Sequence, residues 1–221
     1  MKAFLGIIIF FAGVCSAPGE GDSFYLSNVT LQKAEFKGRK CYELICDIPM
    51  SAGRESYSCF AALAGCDFTD GVIEVDLASF PAANAHRTSR GFAGVVFRAS
   101  TKGNPSFECF YVRPTNGRAK DQLRRNHSTQ YMSYPDFLWY TTRRETPGLY
   151  EAYADMLPGE WMHLKIEVEG QVARFFVNNM DQPVLIVNDL KLGGRASGSV
   201  GLWSYPDTIM YFDNLVVRKA E

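Results

Sequence analysis

Residues 160–178, EWMHLKIEVEGQVARFFVN, decide the fold class of this 221-residue chain. Between residues 162 and 168 every second side chain is apolar, Met, Leu, Ile and then Val, while His, Lys and Glu alternate with them. This period of two is typical of a strand with one buried face. Gly170 interrupts the pattern before a second apolar run at residues 171–178. The stretch therefore predicts an antiparallel β-hairpin.

Similar runs recur along the chain, separated by turns rich in Gly, Pro, Asn and Asp, and helical periodicity is almost absent. Many short strands and no dividing linker indicate an all-β protein, a two-sheet sandwich that forms a single domain over residues 18–221. The segment from Cys41 to Cys66 is less regular and predicts loops or a rim. The other predicted strands are Val72–Leu77, Gly91–Ala99, Phe107–Arg113, Val184–Val187, Ser199–Trp203 and Ile209–Arg218.

The N-terminus has the features of a secretory signal peptide over residues 1–17. A lysine is followed by an apolar stretch and then by small residues, with cleavage expected after Ser16 or Ala17. The apolar stretch is too short to remain as a membrane-spanning helix, and no other long apolar run follows. We therefore predict an exported protein, periplasmic or extracellular, with no membrane span.

Cysteine usage is consistent with export. The chain has six cysteines, of which Cys15 belongs to the predicted signal peptide. Thiols of exported proteins are usually paired, so a disulfide is expected within the group Cys41, Cys46, Cys59 and Cys66. A zinc site is the weaker alternative, because the gaps are wider than those of zinc fingers. Cys109 lies in an alternating strand and predicts a buried free thiol.

The net charge of −1 restricts the class of partner. Nucleic acid and anionic membranes both require a basic surplus, so neither is expected as the main partner. Uncharged partners fit this charge better, either a protein or a carbohydrate such as an oligosaccharide or polysaccharide. The sequence does not indicate an oligomeric state.

Successive motifs give the chain a family resemblance. In order they are GVIEVDL, GFAGVVFRAS, FECFYVRPTNG, PGEWMHLKIEVEGQVARFFVNN, PVLIVNDLKLG, GSVGLW and YFDNLVV. Over Phe24 to Arg218 the chain resembles the concanavalin A-like jelly-roll domains. The nearest branch is the one named for 3-keto-disaccharide hydrolases, and laminin G-like domains are more distant. The resemblance implies two curved antiparallel sheets whose concave face, in carbohydrate-active members, holds a sugar chain.

The carboxylates of the sequence argue against classical glycosidase chemistry. A retaining glycosidase needs two carboxyl groups about 5 to 5.5 Å apart, which laminarinase-type jelly rolls supply from an E-x-D-x-x-E strand. Here Glu74 and Asp76 are followed by Ala78 and Ser79, so the second glutamate is missing. Outward-facing acids on a strand are more often a solvated surface.

Rings and polar side chains concentrate between residues 98 and 144, and most densely in LRRNHSTQYMSYPDFLWY, residues 123–140. Aromatic faces can pack against the C–H face of a sugar, while guanidinium and amide groups bind its hydroxyl or carboxylate groups. The segment predicts one wall of a sugar cleft, although a polar network beneath long loops is the alternative. The predicted ligand-binding residues are Arg98, Tyr111, Arg113, Arg125, Gln130, Tyr131, Trp139, Tyr140 and Arg143.

An enzyme built on this cluster would need a base, and Glu108, Asp121 and His127 are the candidate catalytic residues by position. We expect neither a metal nor a cofactor. Two functions follow for an exported carbohydrate-associated protein. One is a glycoside hydrolase of the 3-keto-disaccharide type, and the other is a non-catalytic glycan-binding or adhesion module of the cell envelope. An interaction protein without a sugar site is the third alternative.

Overall fold

The computed structural model of the protein describes residues 11–16 and 23–220. In these residues nearly all regular structure is β-strand, with three short α-helices and one 3-10 helix. The strands are β1 (Phe11–Ser16), β2 (Phe24–Ser27), β3 (Val29–Phe36), β4 (Arg39–Cys46), β5 (Phe60–Leu63), β6 (Gly71–Pro81), β7 (Ala93–Ala99), β8 (Phe107–Val112), β9 (Thr129–Tyr134), β10 (Glu151–Ala152), β11 (Met162–Glu169), β12 (Val172–Val177), β13 (Leu185–Val187), β14 (Ser199–Ser204) and β15 (Thr208–Ala220). The helices are α1 (Pro114–Gly117), α2 (Gln122–Asn126), α3 (Trp139–Glu145) and the 3-10 helix η1 (Met50–Tyr57).

The strands form two antiparallel sheets. The first sheet has the order β13-β12-β11-β6-β15-β4-β3, and β1 also pairs with β15. The second sheet has the order β10-β9-β8-β7-β14-β5-β2. Strands that are neighbours in the second sheet can be far apart in the chain, since β14 lies between β7 and β5. A site on this sheet is therefore assembled from distant segments of the sequence.

The hairpin predicted from residues 160–178 is confirmed as β11 and β12, which pair antiparallel from Leu164 with Val177 to Glu169 with Val172. All four apolar side chains that alternate along β11 are buried. Gly170 occupies the turn with a φ of 55°, a left-handed conformation that glycine adopts without a Cβ clash. The other predicted strands are confirmed as β6, β7, β8, β13, β14 and β15.

The segment from Cys41 to Cys66, predicted as loops or a rim pinned by cysteine pairing, contains most of β4 and all of β5, so the prediction missed two strands. Between these strands lie η1 and two short connections, and the Cys46–Cys59 disulfide joins the two ends. The burial pattern of β4 does not alternate in the way that β11 does, so its sequence lacks the period-two signal. Pairing with β3 on one side and β15 on the other holds β4 in place. Non-local pairing therefore decides the structure here.

Two apolar clusters lie on opposite faces of the second sheet. The main core fills the space between the sheets and includes Phe110, Val95 and Leu202. A second cluster includes Tyr111 and Trp203, each adjacent in sequence to a core residue. Successive residues of a strand point to opposite faces, so this cluster lies on the outer face of the second sheet. That face is apolar and partly covered by other segments.

One disulfide joins the sheets. Cys46 ends β4 in the first sheet, and Cys59 comes directly before β5 in the second, with their Cα atoms 5.6 Å apart. The disulfide predicted within the group of four cysteines is thereby confirmed. Cys109 is a buried free thiol among the described residues, also as predicted. Cys41 and Cys66 are buried as well.

The predicted signal peptide, residues 1–17, lies largely outside the described residues. Within it the structure describes the backbone of β1, which pairs antiparallel with the C-terminal half of β15. Signal cleavage and export stay predictions. In the described part of the chain, no helix has the length and apolar character needed to cross a membrane.

Candidate functional site

A pocket of about 300 Å³ opens on the outer face of the second sheet. Aromatic side chains and arginines dominate its walls. The rings come from Tyr57, Phe92, Tyr111, Trp139, Trp203 and Tyr205. The arginines are Arg90, Arg113, Arg124 and Arg143. This combination of ring faces with a few convergent polar groups is typical of a small-ligand site.

The floor of the pocket depends on a glycine. Gly94 of β7 pairs with Tyr111 of β8 on one side and with Trp203 of β14 on the other. The Tyr111 and Trp203 rings meet with their centroids 5.0 Å apart. A Cβ on Gly94 would lie 2.6 Å from the Tyr111 Cβ and 2.2 Å from the Phe110 backbone oxygen. The missing side chain therefore lets two aromatic rings close over the strand between them.

The rim is built by η1 and α3. Trp139, the first residue of α3, donates its Nε1–H to the hydroxyl oxygen of Tyr57 at the end of η1. The Tyr57 ring packs against the Tyr205 ring at 4.9 Å. The Trp203 Nε1–H donates to the Tyr57 backbone oxygen at 2.8 Å. These contacts fix the orientation of the rings before any ligand arrives.

Arg113 is the polar centre of the site and is only 4% exposed. Its Nη1 donates to Glu151 Oε1 and to the His127 backbone oxygen, each at 3.0 Å. Its Nη2 donates to the Tyr111 hydroxyl at 2.9 Å and to Gln130 Oε1. A guanidinium with this many partners is held in one orientation, because its donors lie in one plane with fixed directions.

The carboxylate of Glu151 lies among arginine and histidine side chains. Arg143 Nη2 donates to Glu151 Oε1 at 2.8 Å, and His127 Nδ1 lies 2.6 Å from Oε2 without hydrogen-bond alignment. Burial alone would raise the pKa of Glu151, but the Arg143 hydrogen bond and the Arg113 charge outweigh burial and lower it. Burial lowers the pKa of His127, and the charges of Arg143 and Arg113 act in the same direction, against the raising effect of Glu151. The imidazole is therefore neutral near pH 7.

Two further arginines contribute charge to the wall. Arg90 Nη1 donates to the backbone oxygens of Arg87 and Ser89, each at 2.8 Å. Arg124 Nε donates to Asn116 Oδ1 at 2.9 Å. Within the described part of the chain neither guanidinium forms an ion pair with a carboxylate. Burial lowers the pKa of Arg90, and the charge of Arg124 acts in the same direction.

The pocket thus has a marked charge asymmetry. Four arginines and no Asp or Glu are among the described residues that line it. Glu151 lies behind Arg113 and Arg143 and already accepts hydrogen bonds from both. The described lining residues offer ring faces and hydrogen-bond donors, and none of them supplies either of the two carboxyl groups that glycoside hydrolysis uses.

The structure brings five of the predicted site residues into the pocket. They are Tyr111, Arg113, His127, Trp139 and Arg143. A sixth, Gln130, lies directly behind it, and its Oε1 accepts from the Tyr111 hydroxyl at 3.1 Å. Of the three candidate catalytic residues, only His127 lines the pocket.

Three predicted residues are buried elsewhere. Arg98 is 1% exposed and donates to the backbone oxygens of Gly193 at 2.8 Å and Gly170 at 2.7 Å. Glu108 accepts a hydrogen bond from the Tyr131 hydroxyl at 2.6 Å, and burial raises its pKa. Glu108 lies on the core-facing side of β8, and Tyr131 belongs to the main core. The strand positions of Glu108 and Tyr131 therefore direct these two side chains away from the pocket.

The remaining predicted residues lie near the surface and do not line the pocket. Asp121 caps the N-terminus of α2 by accepting from the Arg124 backbone N–H at 2.7 Å. Arg125 Nη2 donates to the Tyr153 hydroxyl at 2.9 Å. Tyr140 is 39% exposed, one residue beyond Trp139. The three candidate catalytic residues therefore do not converge on one point.

Sequence reasoning missed much of the pocket, including Arg90, Phe92, Trp203 and Tyr205. Trp203 and Tyr205 are two residues apart at the end of β14, so the period of two already placed them on one face. No local pattern indicated that this face lies beside Tyr111, because that contact depends on the order of distant strands.

Glu74 and Asp76 point away from the main core, as predicted, on the outer face of the first sheet. Arg218 donates to Glu74, and His163 Nδ1 lies 2.8 Å from Asp76 Oδ1. Asp76 also pairs with Arg39 at 2.5 Å. These acids belong to a surface ion-pair network and are distant from the pocket, which lies on the other sheet.

Solved structures share the fold at low sequence identity. The carbohydrate-binding module CBM66 from Bacillus subtilis matches with a TM-score of 0.51 and 14% identity, over 87% of this chain and 96% of that one. A Bacillus subtilis protein of unknown function with a galectin-like fold matches with a TM-score of 0.50 and 13% identity, over 88% and 90%. No protein-family model and no curated protein matches the sequence. The chain is a concanavalin A-like jelly-roll sandwich.

Proposed function

We propose that the protein is a non-catalytic carbohydrate-binding module and that the pocket on the outer face of the second sheet is its sugar site. The observation that carries this proposal is the convergence of fixed rings and hydrogen-bond donors in one pocket. Sugars present C–H faces that pack on rings and hydroxyls that need directed partners. Trp139 and Tyr205 supply the first kind of contact, and Arg90 and Arg143 supply the second.

Binding is favoured over hydrolysis by the chemistry of the walls. Hydrolysis by either stereochemical route uses two carboxyl groups, about 5 to 9.5 Å apart, that flank the scissile bond. The described lining contains none, and Glu108 and Asp121 point elsewhere. Of the candidate catalytic residues only His127 lines the pocket, and its neighbour Glu151 lies behind Arg113 and Arg143 and does not line it. The resemblance to 3-keto-disaccharide hydrolases therefore supports the fold more than the reaction.

The shared fold adds support of a general kind. CBM66 is by its name a carbohydrate-binding module, and the two chains match over most of their lengths. Fold alone does not determine function, so the proposal depends mainly on the pocket itself.

A glycan array with the wild-type protein and two variants tests the proposal. Trp139→Ala removes a rim ring, and Trp161→Ala removes an indole on the first sheet that does not line the pocket. We expect at least a tenfold loss of affinity for the first, about 1.4 kcal/mol, and no change for the second. Equal effects of both variants, or no bound glycan in the array, would contradict the proposal.

We also propose that the module acts outside the cytoplasm. The disulfide between Cys46 and Cys59 supports this, because disulfides persist in oxidising compartments. N-terminal sequencing of the secreted protein should give a start after Ser16 or Ala17. A full-length protein retained in the cytoplasm would contradict export.

A further inference from the structure

The charge of the pocket exceeds what a neutral sugar needs. Arg113 and Arg143 both pair with the carboxylate of Glu151. Arg90 and Arg124 have no carboxylate partner among the described residues. Partly buried cations without a counter-ion cost free energy, since burial removes water that would solvate them. A site that keeps them fits a ligand that carries the missing negative charge.

The free donors of Arg90 are arranged for an oxyanion. Its two hydrogen bonds both come from Nη1 and go to backbone oxygens on its own loop, those of Arg87 and Ser89. Among the described residues the Nε and Nη2 groups have no partner. These two groups form one edge of the planar guanidinium, and this edge matches the two oxygens of a carboxylate or the paired oxygens of a sulfate.

The other guanidiniums of the pocket have less to offer. Arg113 uses both of its terminal nitrogens on Glu151, Tyr111 and neighbouring groups. Arg143 directs Nε and Nη2 towards Glu151. Arg113 and Arg143 contribute positive potential and a rigid wall, and they leave the contact with the anionic group itself to Arg90.

We propose that the pocket takes an acidic sugar, with a carboxylate or sulfate group held by the Nε and Nη2 edge of Arg90 and the sugar ring packed on the aromatic wall. This inference rests on the proposed carbohydrate-binding function and names its ligand class. The net charge of the whole chain is −1, so attraction of acidic polymers by overall charge is not expected.

Pairs of polymers with the same sugar backbone and different charge distinguish recognition of the anionic group from recognition of the sugar. Isothermal titration calorimetry of the full protein would compare polygalacturonate with its methyl ester, and dextran sulfate with dextran, in 150 mM and 500 mM NaCl. Three variants accompany the wild type. Arg90→Gln removes the guanidinium and its charge, and Arg90→Lys keeps a positive charge without the planar Nε and Nη2 edge. Arg195→Gln removes an exposed arginine that does not line the pocket.

We expect at least one charged polymer to bind tenfold or more tightly than its neutral counterpart. Arg90→Gln should abolish this preference, Arg90→Lys should weaken it, and Arg195→Gln should leave it intact. Preference for polygalacturonate assigns the oxyanion as a carboxylate, and preference for dextran sulfate assigns it as a sulfate.

Equal affinity for the charged and neutral members of both pairs would overturn the acidic-sugar inference, as would a preference that survives in Arg90→Gln. Failure of all four polymers to bind would also overturn it. In each of these cases the proposed binding function would still be supported if the array showed neutral glycans whose binding is lost in Trp139→Ala. An array without any bound glycan would remove that function as well.

Discussion

At the scale of single residues, two buried arginines have different roles, and their similar sequence contexts do not distinguish these roles. Arg98 ends the run GVVFR and Arg113 ends FYVR, so both come at or near the end of a strand. Arg98 donates to backbone oxygens of three loops, at Thr69, Gly170 and Gly193, and pairs with Asp70. It holds the loops at one end of the sandwich together, whereas Arg113 lines the pocket.

Replacing Arg98 should therefore destabilise the fold. In Arg98→Ala the carbonyl groups that it satisfies would lose their donor inside the protein, at a cost of about 3 kcal/mol or more in the free energy of unfolding. Urea denaturation measures the change. Arg118→Ala, which breaks an exposed pair with Asp155, is the control and should have little effect. A similar loss in both variants would show that Arg98 has no special role.

The lowered pKa of Glu151 predicts how the free energy of unfolding depends on pH. Its pKa lies below the ordinary value of 4.5 in the folded protein, so near pH 4 the unfolded chain binds more protons than the folded one. Stability then rises with pH up to about 4.5 and is lost as acid protonates the folded carboxylate. Melting temperatures from pH 3 to 6 should fall less steeply on acidification in Glu151→Gln than in the wild type.

The surface variant Glu145→Gln controls for the loss of one carboxylate and should retain the wild-type pH dependence. Parallel curves for wild type and Glu151→Gln would indicate that Glu151 is not paired in the folded state.

At the scale of elements, strand type was predictable where one face is buried and the other exposed. The hairpin of β11 and β12 is such a case. Register and strand order were not, because they depend on pairing between segments far apart in the chain. Tyr111 and Trp203 meet across Gly94, and no local pattern links these three positions. The floor of the pocket could therefore not be assembled from the sequence.

The register around Gly94 can be tested directly. In Gly94→Ala the new methyl group would collide with backbone and side-chain atoms of β8. We expect a loss of roughly 1 to 3 kcal/mol in the free energy of unfolding, since overpacked positions rarely relax fully. A chemical denaturation curve gives this value. If the variant is as stable as the wild type, β7 does not lie between those two rings as described.

At the scale of the whole molecule, the two sheets differ in what their outer faces carry. The first sheet has an ion-pair network around Asp76, and the second has an apolar cluster that leads into the pocket. The period of two predicted the sandwich, because apolar and polar residues alternate along a strand that has one face buried and the other exposed. It also placed Tyr111 and Arg113 on one face. It did not place Glu108, because both faces of the second sheet are buried. Arg98 was misplaced because its φ of 52° interrupts the alternation, so that Val96 and Ala99 both belong to the outer cluster.

The three tryptophans offer the most direct test of the sugar site. Trp139 and Trp203 line the pocket, whereas Trp161 packs against Phe36 and Arg39 on the first sheet. Their indole N–H signals can be followed separately by NMR during titration with an oligosaccharide that the array selects. We predict that the Trp139 and Trp203 signals shift with ligand while Trp161 stays unchanged. A shift confined to Trp161, or no shift at saturating ligand, would contradict a sugar site on the second sheet.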